Sequence, residues 1–399
     1  MLSRLSLLRK SSYHKTAVQS SRDCSNVRFC DKIRTGGPLM LTFDTFYSSD
    51  IQIGDSTLLL NIETTGLSPR NAFVFMIGLG WMENNGWHFR CLLAEKRMDE
   101  RKLMEVFQQI LTGYHQVLTY GGHSFTYRFL EERWRNYSDS DFFSDTEHRL
   151  FENIRQLDIQ KSLSPYKHLL SFTDIKKETA EHFVHYHRSE HTAPKELIKC
   201  YTAWELSGDN KLQTQLISHH DADMIGLLSL YSLIAYAQFF RGEFDAIEHC
   251  ETDGRFCFFT LSLKTAVPVP IQASGVYFFL SLTKASALLR IPMFQGELKY
   301  FLPGPAKDYY YLPKEDQAVH RSIACYVDKA YRQKATAATC YVRQNGVFLP
   351  AADTSLQPCF RESYDSTHFF IAYDTNRFEE HPDDLKHYLS ILIKKSLIH

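Results

Sequence analysis

The sequence predicts a mixed α/β protein followed by a second α+β domain. Three observations carry this. Three strand-like runs follow one another between residues 57 and 94. The hydrophobic period then lengthens to that of helices, with one short strand set between two of them. After Phe240 the pattern returns to short strands rich in aromatic and β-branched residues.

Residues 57–62 (TLLLNI) read as a buried first strand, 72–82 (AFVFMIGLGWM) as a second and 87–94 (WHFRCLLA) as a third. The run 84-NNG-86 supplies a hairpin turn, so the three are expected to pair antiparallel. Leu103, Val106, Phe107, Ile110 and Leu111 recur at helical spacing, and Gly113 ends that helix. Residues 116–120 (QVLTY) make a fourth strand. Gly121 and Gly122 break it, and Ser124 is placed to cap a helix over 125–135. Residues 137–152 read as loop, and 155–159 as a short strand or a helix start.

A long helix is expected over 211–240, with Leu212, Leu216, Leu227, Tyr231 and Ile234 on its buried side. Residues 244–303 read as antiparallel β. An amphipathic helix is expected over 315–334, with Val319, Ile323, Tyr326, Val327 and Ala330 inward, and a terminal helix over 382–396. The expected division is an N-terminal arm over 1–50, a first domain over 51–240 and a second over 241–399.

Composition sets bounds on function. At 399 residues, 44% hydrophobic and 23% charged, the chain can bury a sizeable core. Its net charge of −1 excludes general electrostatic attraction to polyanions, so any nucleic-acid surface must be a local patch. Nine cysteines occur without a C-x-x-C pair, which argues for reduced thiols and a cytoplasmic location. No uninterrupted apolar run reaches the roughly 18 residues of a membrane span. The first 22 residues are basic, serine-rich and free of Asp and Glu. They are compatible with a transit peptide, but they lack an apolar face and are expected as a flexible arm.

The chemistry gathers on 58-LLLNIETTGL-67. Side chains alternate along a strand, so Asn61 and Glu63 share one face. An Asp-x-Glu pair there would offer two carboxylates to Mg²⁺ or Mn²⁺. Two such ions about 4 Å apart activate a water and stabilise the leaving oxygen of a phosphodiester. On 219-HHDAD-223, His219 and Asp223 stand at i and i+4 of a helix and share a face, whereas Asp221 points elsewhere. The plain alternative is a surface His–Asp pair, with Asn61 and Glu63 capping neighbouring loops.

The first stretch, together with 118-LTYGGHSFTYRFLEERW-134, 157-LDIQKSLSPYKHLL-170, 197-LIKCYTAWELSGD-209 and 219-HHDADMIGLLSL-230, resembles the YprB-type ribonuclease H-like domain. That family is related to the DEDD 3′–5′ exonucleases. The resemblance covers roughly residues 55–235. It implies a ribonuclease H-like mixed sheet whose first strand is central. The family's first motif reads D-I-E-T-T-G, so Glu63 matches its glutamate and Asn61 replaces its aspartate. The second reads Y-N-G-x-x-F-D: Gly121 replaces the asparagine, Phe125 matches the aromatic, and Thr126 replaces the aspartate. The third reads H-N-x-x-D: His219 and Asp223 match, and His220 replaces the asparagine. Asp158 matches a further family aspartate.

The resemblance implies a metal-dependent exonuclease acting from the 3′ end of single-stranded DNA or RNA. Glu63 and Asp223 would hold Mg²⁺ or Mn²⁺, His219 would be the general base, and Asn61 and Thr126 would be weakened ligands. With two of four carboxylates replaced, the alternative is a catalytically inactive nucleic-acid-binding or scaffolding protein. Two further segments stand out. The stretch 181-EHFVHYHRSEH-191 carries four histidines and is expected as a solvated loop. The stretch 307-KDYYYLPKED-316 sets three tyrosines beside lysines, a pairing that suits base stacking and phosphate contact as well as ordinary packing. Lys329, Arg332 and Lys334 are expected on a solvated face. Neither a P-loop nor a G-x-S-x-G elbow occurs.

Overall fold

The structure, a computed structural model, describes residues 16–17, 28–33, 40–54, 56–83, 86–138 and 149–397. The Asn84–Asn85 turn and most of the basic segment 1–22 lie outside them. The described residues fall into two compact units. One holds those up to Ser164 and Asp174–Tyr231; the other holds Pro165–Thr173 and those from Ser232 onward.

The first unit is built on one mixed sheet. Its strands are β1 (Thr16–Ala17), β2 (Arg28–Ile33), β3 (Met40–Tyr47), β4 (Thr57–Thr64), β5 (Val74–Glu83), β6 (Gly86–Ala94), β7 (Gln116–Thr119) and β8 (Arg155–Asp158). They lie in the order β1-β2-β3-β6-β5-β4-β7-β8. Pairing is antiparallel from β1 to β4, and parallel from β4 through β7 to β8. The three antiparallel strands β4, β5 and β6 are those the sequence predicts. Strands β2 and β3 fall within the region read as an arm; β3 pairs with β6 along its whole length.

Strand β4 is central, and its two faces serve different ends. Leu58, Leu60 and Ile62 enter a core with Leu103, Met104 and Phe107 of α1 (Glu100–Leu111) and Leu130 of α2 (Tyr127–Ser138). Each such buried side chain stabilises by about 1.5–3 kcal/mol. On the sheet's other face, Leu41, Phe75 and Leu93 pack with Tyr201 and Trp204 of α5 (Pro194–Ser207) and Leu216 of α6 (Asn210–Leu230). Two short helices, α3 (Ile159–Leu163) and α4 (Lys177–Phe183), complete the unit.

The second unit opens with α7 (Ile234–Phe240). Strands β9 (Ile247–Thr252), β10 (Phe256–Ser262), β11 (Ile271–Ser274), β12 (Phe279–Leu282) and β13 (Ser286–Pro292) form an antiparallel sheet in the order β11-β12-β13-β10-β9. Strands β14 (Phe294–Phe301), β18 (Tyr341–Ala351), β19 (Cys359–Arg361) and β20 (Phe369–Ala372) close a small barrel around Leu298, Phe348 and Phe360. Between β14 and β18, strands β15 (Tyr309–Leu312), β16 (Gln317–His320) and β17 (Gln333–Lys334) form a three-stranded sheet. The terminal helix spans Pro382–Ser396, as its periodicity predicts.

Several expectations are corrected. The helix expected over 315–334 is reduced to a single turn at Arg321–Ala324. Asp316 takes a left-handed backbone (φ 50°) in the turn between β15 and β16, which commits 317–320 to a strand. Ile323 and Tyr326, expected inward, are 58% and 90% exposed. The helix expected over 211–240 is broken at Tyr231–Leu233 by a 3₁₀ turn. By length and mean hydropathy, 210–240 would suffice to cross a membrane, although charged residues interrupt it; 72% of its most apolar window is buried in the fold. The helix expected from 125 begins instead at Tyr127, after a wide turn over Gly122–Thr126. Ser124 donates to the Gly121 carbonyl rather than capping a helix. Gly121 is left-handed (φ 78°), and a Cβ on Gly122 would strike Thr119 and Tyr127.

Helix α6 lies close on β5 because two positions beneath it lack side chains. Gly78 faces Asn61 across the ladder, and Gly80 faces Leu59. A Cβ on Gly78 would stand 2.8 Å from Met224 Sδ and 2.9 Å from the buried His220 ring. Gly78→Ala is therefore expected to destabilise the first unit by about 1–3 kcal/mol. The midpoint of urea unfolding, followed by tryptophan fluorescence, measures this loss.

Candidate functional site

The site forms where α6 crosses the end of β4. Asn61 and Glu63 project from the strand, and His219 and Asp223 project down from one face of the helix. The Asn61 amide nitrogen donates to Asp223 Oδ2 at 2.8 Å and to Glu63 Oε1 at 3.3 Å. His219 Nε2 lies 3.7 Å from Glu63 Oε1 and 3.9 Å from Asp223 Oδ2. One ligand atom each from Glu63, His219 and Asp223 falls within 4.8 Å of the others, a spacing that could hold a metal ion.

Cations already occupy this neighbourhood. Lys177, the first residue of α4, places Nζ 3.0 Å from Asp223 Oδ1 and 3.2 Å from the Asp223 carbonyl. Arg188, in the segment after α4, places Nη1 2.6 Å from the same Oδ1. The other edge of its guanidinium forks onto Glu181 at 2.6 and 2.8 Å. Gly226 of α6 makes room for this, since a Cβ there would collide with Glu181 Oε1. Tyr186 ties the segment to α6 by donating to the Ala222 carbonyl at 2.8 Å.

The electrostatics follow from this packing. Burial alone would raise the Asp223 carboxyl, but Lys177, Arg188 and His219 hold it far below the usual carboxylate range. Burial works against the charged Arg188, yet Glu181 and Asp223 keep its guanidinium more firmly protonated than usual. His219 is also desolvated, which disfavours its proton. Glu63, Asp223 and Glu190, whose carboxylate lies 2.7 Å from Nδ1, outweigh this and lift the imidazole to about 9. At neutral pH His219 is thus an imidazolium among three carboxylates. In this state it has no free lone pair with which to accept a proton.

The remaining predicted residues separate from this cluster. Asp158 caps α3 through Lys161 N and accepts from the Gly121 and His123 amides at 2.9 Å each. It holds the Gly121–Gly122 turn in shape. Thr126 is buried at the end of that turn, and no hydrogen bond joins its hydroxyl to Glu63 or Asp223 among the described residues. Phe125 packs beside Phe129. Asp221 turns away, as expected, to Thr45 and His220. The histidine-rich stretch divides: His182, His185, His187 and His191 are exposed, while Glu181 is buried and Arg188 and Glu190 turn inward. The sequence reading missed these three and Lys177. The only signals were an arginine and two glutamates within ten residues, and a glycine inside α6.

Residues 58–235 match the RNase H superfamily model. The fold of this region is ribonuclease H-like. Among solved structures, the family B DNA polymerase from the hyperthermophilic archaeon Pyrobaculum calidifontis is similar, at 13% identity and a TM-score of 0.32. The similarity covers 65% of this chain and 38% of the polymerase. Comparison with curated proteins finds no match.

Two expectations follow for the ribonuclease H-like unit. Arg188→Met leaves two buried carboxylates short of their cation. It is expected to cost about 3–5 kcal/mol in chemical unfolding, whereas Arg70→Met, at a position 85% exposed, leaves the midpoint unchanged. The second concerns pH. His219 rises from an ordinary 6.5 to about 9 in the folded protein. Its stabilising contribution is therefore fully present below about 6.5 and is lost as pH climbs through about 9. Unfolding free energies should fall across that window, and His219→Gln should flatten the decline.

Proposed function

We propose that this chain is a nucleic-acid-binding protein of the YprB type, related to 3′–5′ exonucleases, in which internal cations have replaced catalytic metal. The observation that carries this reading is the pairing of Asp223. Its Oδ1 bonds Lys177 and Arg188, and its Oδ2 accepts from Asn61. The residues present do not fit a pair of divalent ions. Two positions that would supply anions are Asn61 and Thr126, and the Asn61 amide turns its N–H donor, not its oxygen, toward the other ligands. A divalent ion would also have to approach Lys177 and Arg188, whose charges repel it. The ribonuclease H-like fold supplies the nucleic-acid half of the reading, by analogy of fold. The competing reading, a one-metal exonuclease, has in its favour the proximity of Glu63, His219 and Asp223.

Incubation of 5′-labelled single-stranded DNA and RNA with Mg²⁺ or Mn²⁺ separates the two, with retention of the same strands measured in parallel. Retention without cleavage is expected. The Asn61→Asp/Thr126→Asp exchange should stay inert, because Lys177 and Arg188 remain. A 3′-to-5′ ladder that disappears in Glu63→Ala/Asp223→Ala would overturn the proposal in favour of the exonuclease.

A further inference from the structure

The barrel of the second unit carries a row of like charges that its own fold does not explain. Lys299 on β14 pairs directly with Arg361 on β19 and with Arg343 on β18. Three cations therefore stand side by side across three neighbouring strands, where like charges opposite one another destabilise a sheet. Arg343 is compensated by Glu297 at 3.3 Å and Asp316 at 3.5 Å. Lys299 and Arg361 form no ion pair among the described residues, although the Asp316 charge acts on Lys299 from farther off.

Both lie over aromatic rings instead. Lys299 Nζ is 4.4 Å from the centre of Tyr341. The Arg361 guanidinium is 4.4 Å from the Phe301 ring and 4.9 Å from that of Tyr364, a residue 43% exposed. The tyrosine-rich strand β15 joins the same surface: Tyr311 and Tyr341 both donate to Asp316, at 2.5 and 2.6 Å.

We infer that this face of the barrel binds single-stranded nucleic acid, with Lys299 and Arg361 on phosphates and Tyr364 stacking a base. Charge complementarity selects a polyanion, and an exposed ring beside a guanidinium selects one with planar bases. An acidic peptide would use the cations and leave the ring idle. This inference shares the ligand class of the preceding section but none of its residues.

Fluorescence anisotropy of the full chain with a labelled oligothymidylate or oligouridylate of about 20 nucleotides tests it, with polyglutamate as a base-free polyanion. Lys299→Gln/Arg361→Gln is expected to weaken oligonucleotide binding at least about tenfold and to lower the salt slope by about two. Tyr364→Ala, at a surface position, should weaken it about tenfold with little change in slope. Circular dichroism and the melting temperature confirm that each variant is folded. If the wild type binds and both variants bind equally well, the barrel inference is overturned while the ribonuclease H-like reading stands. If the wild type binds no oligonucleotide, both fall. Binding of polyglutamate alone overturns the barrel inference in favour of an acidic protein partner.

Discussion

The first unit depends on the neutralisation of Asp223 inside the fold. A carboxylate taken out of water is costly unless an opposite charge and hydrogen bonds meet it. Here Lys177 and Arg188 supply the charge, and Asn61 occupies the remaining oxygen. Because Lys177 begins α4 and Arg188 follows it, this pairing also fixes that helix and its loop against α6. The same contacts that settle the charge therefore hold the outer layer in place. Glu181 extends the arrangement by holding the far edge of the Arg188 guanidinium, and Gly226 leaves space for it.

Much of this was legible in the sequence, for a definite reason. Asn61, Glu63, His219 and Asp223 lie on regular elements, where periods of two and of about 3.6 place side chains without further knowledge. Strands β4 to β7 were legible for the same reason, whereas β8 read equally as a helix start. Lys177, Glu181, Arg188 and Glu190 were not, because a short helix and a loop have no period that points a side chain inward. Lys177 and Arg188 reach Asp223, and Glu190 reaches His219, across tens of residues of chain. The four histidines drew attention to the right stretch, but they face solvent, and the inward residues lay between them.

The misread segment 315–334 makes the complementary point. Its apolar residues recur at helical spacing, yet Ile323 and Tyr326 are exposed. Helical spacing marks a core only when a face is covered. Here Asp316 turns the chain into a hairpin that ends at His320, and the helix that follows is a single turn, Arg321–Ala324, with Ile323 exposed. The strands β2 and β3 were missed for the opposite reason. They are edge-side strands with mixed polarity, such as RFCDKI, and lack the apolar run that marks a central strand.

The features of the ribonuclease H-like site are best understood as linked. A cluster of carboxylates presents more negative charge than a fold can bury unaided. Three changes lower that burden here: an amide stands at position 61, two cations reach Asp223, and His219 keeps its proton. Each makes the others more favourable. The cations hold the Asp223 carboxyl in its charged form, and the amide donates to it and to Glu63. The cluster is therefore held by several interactions that reinforce one another.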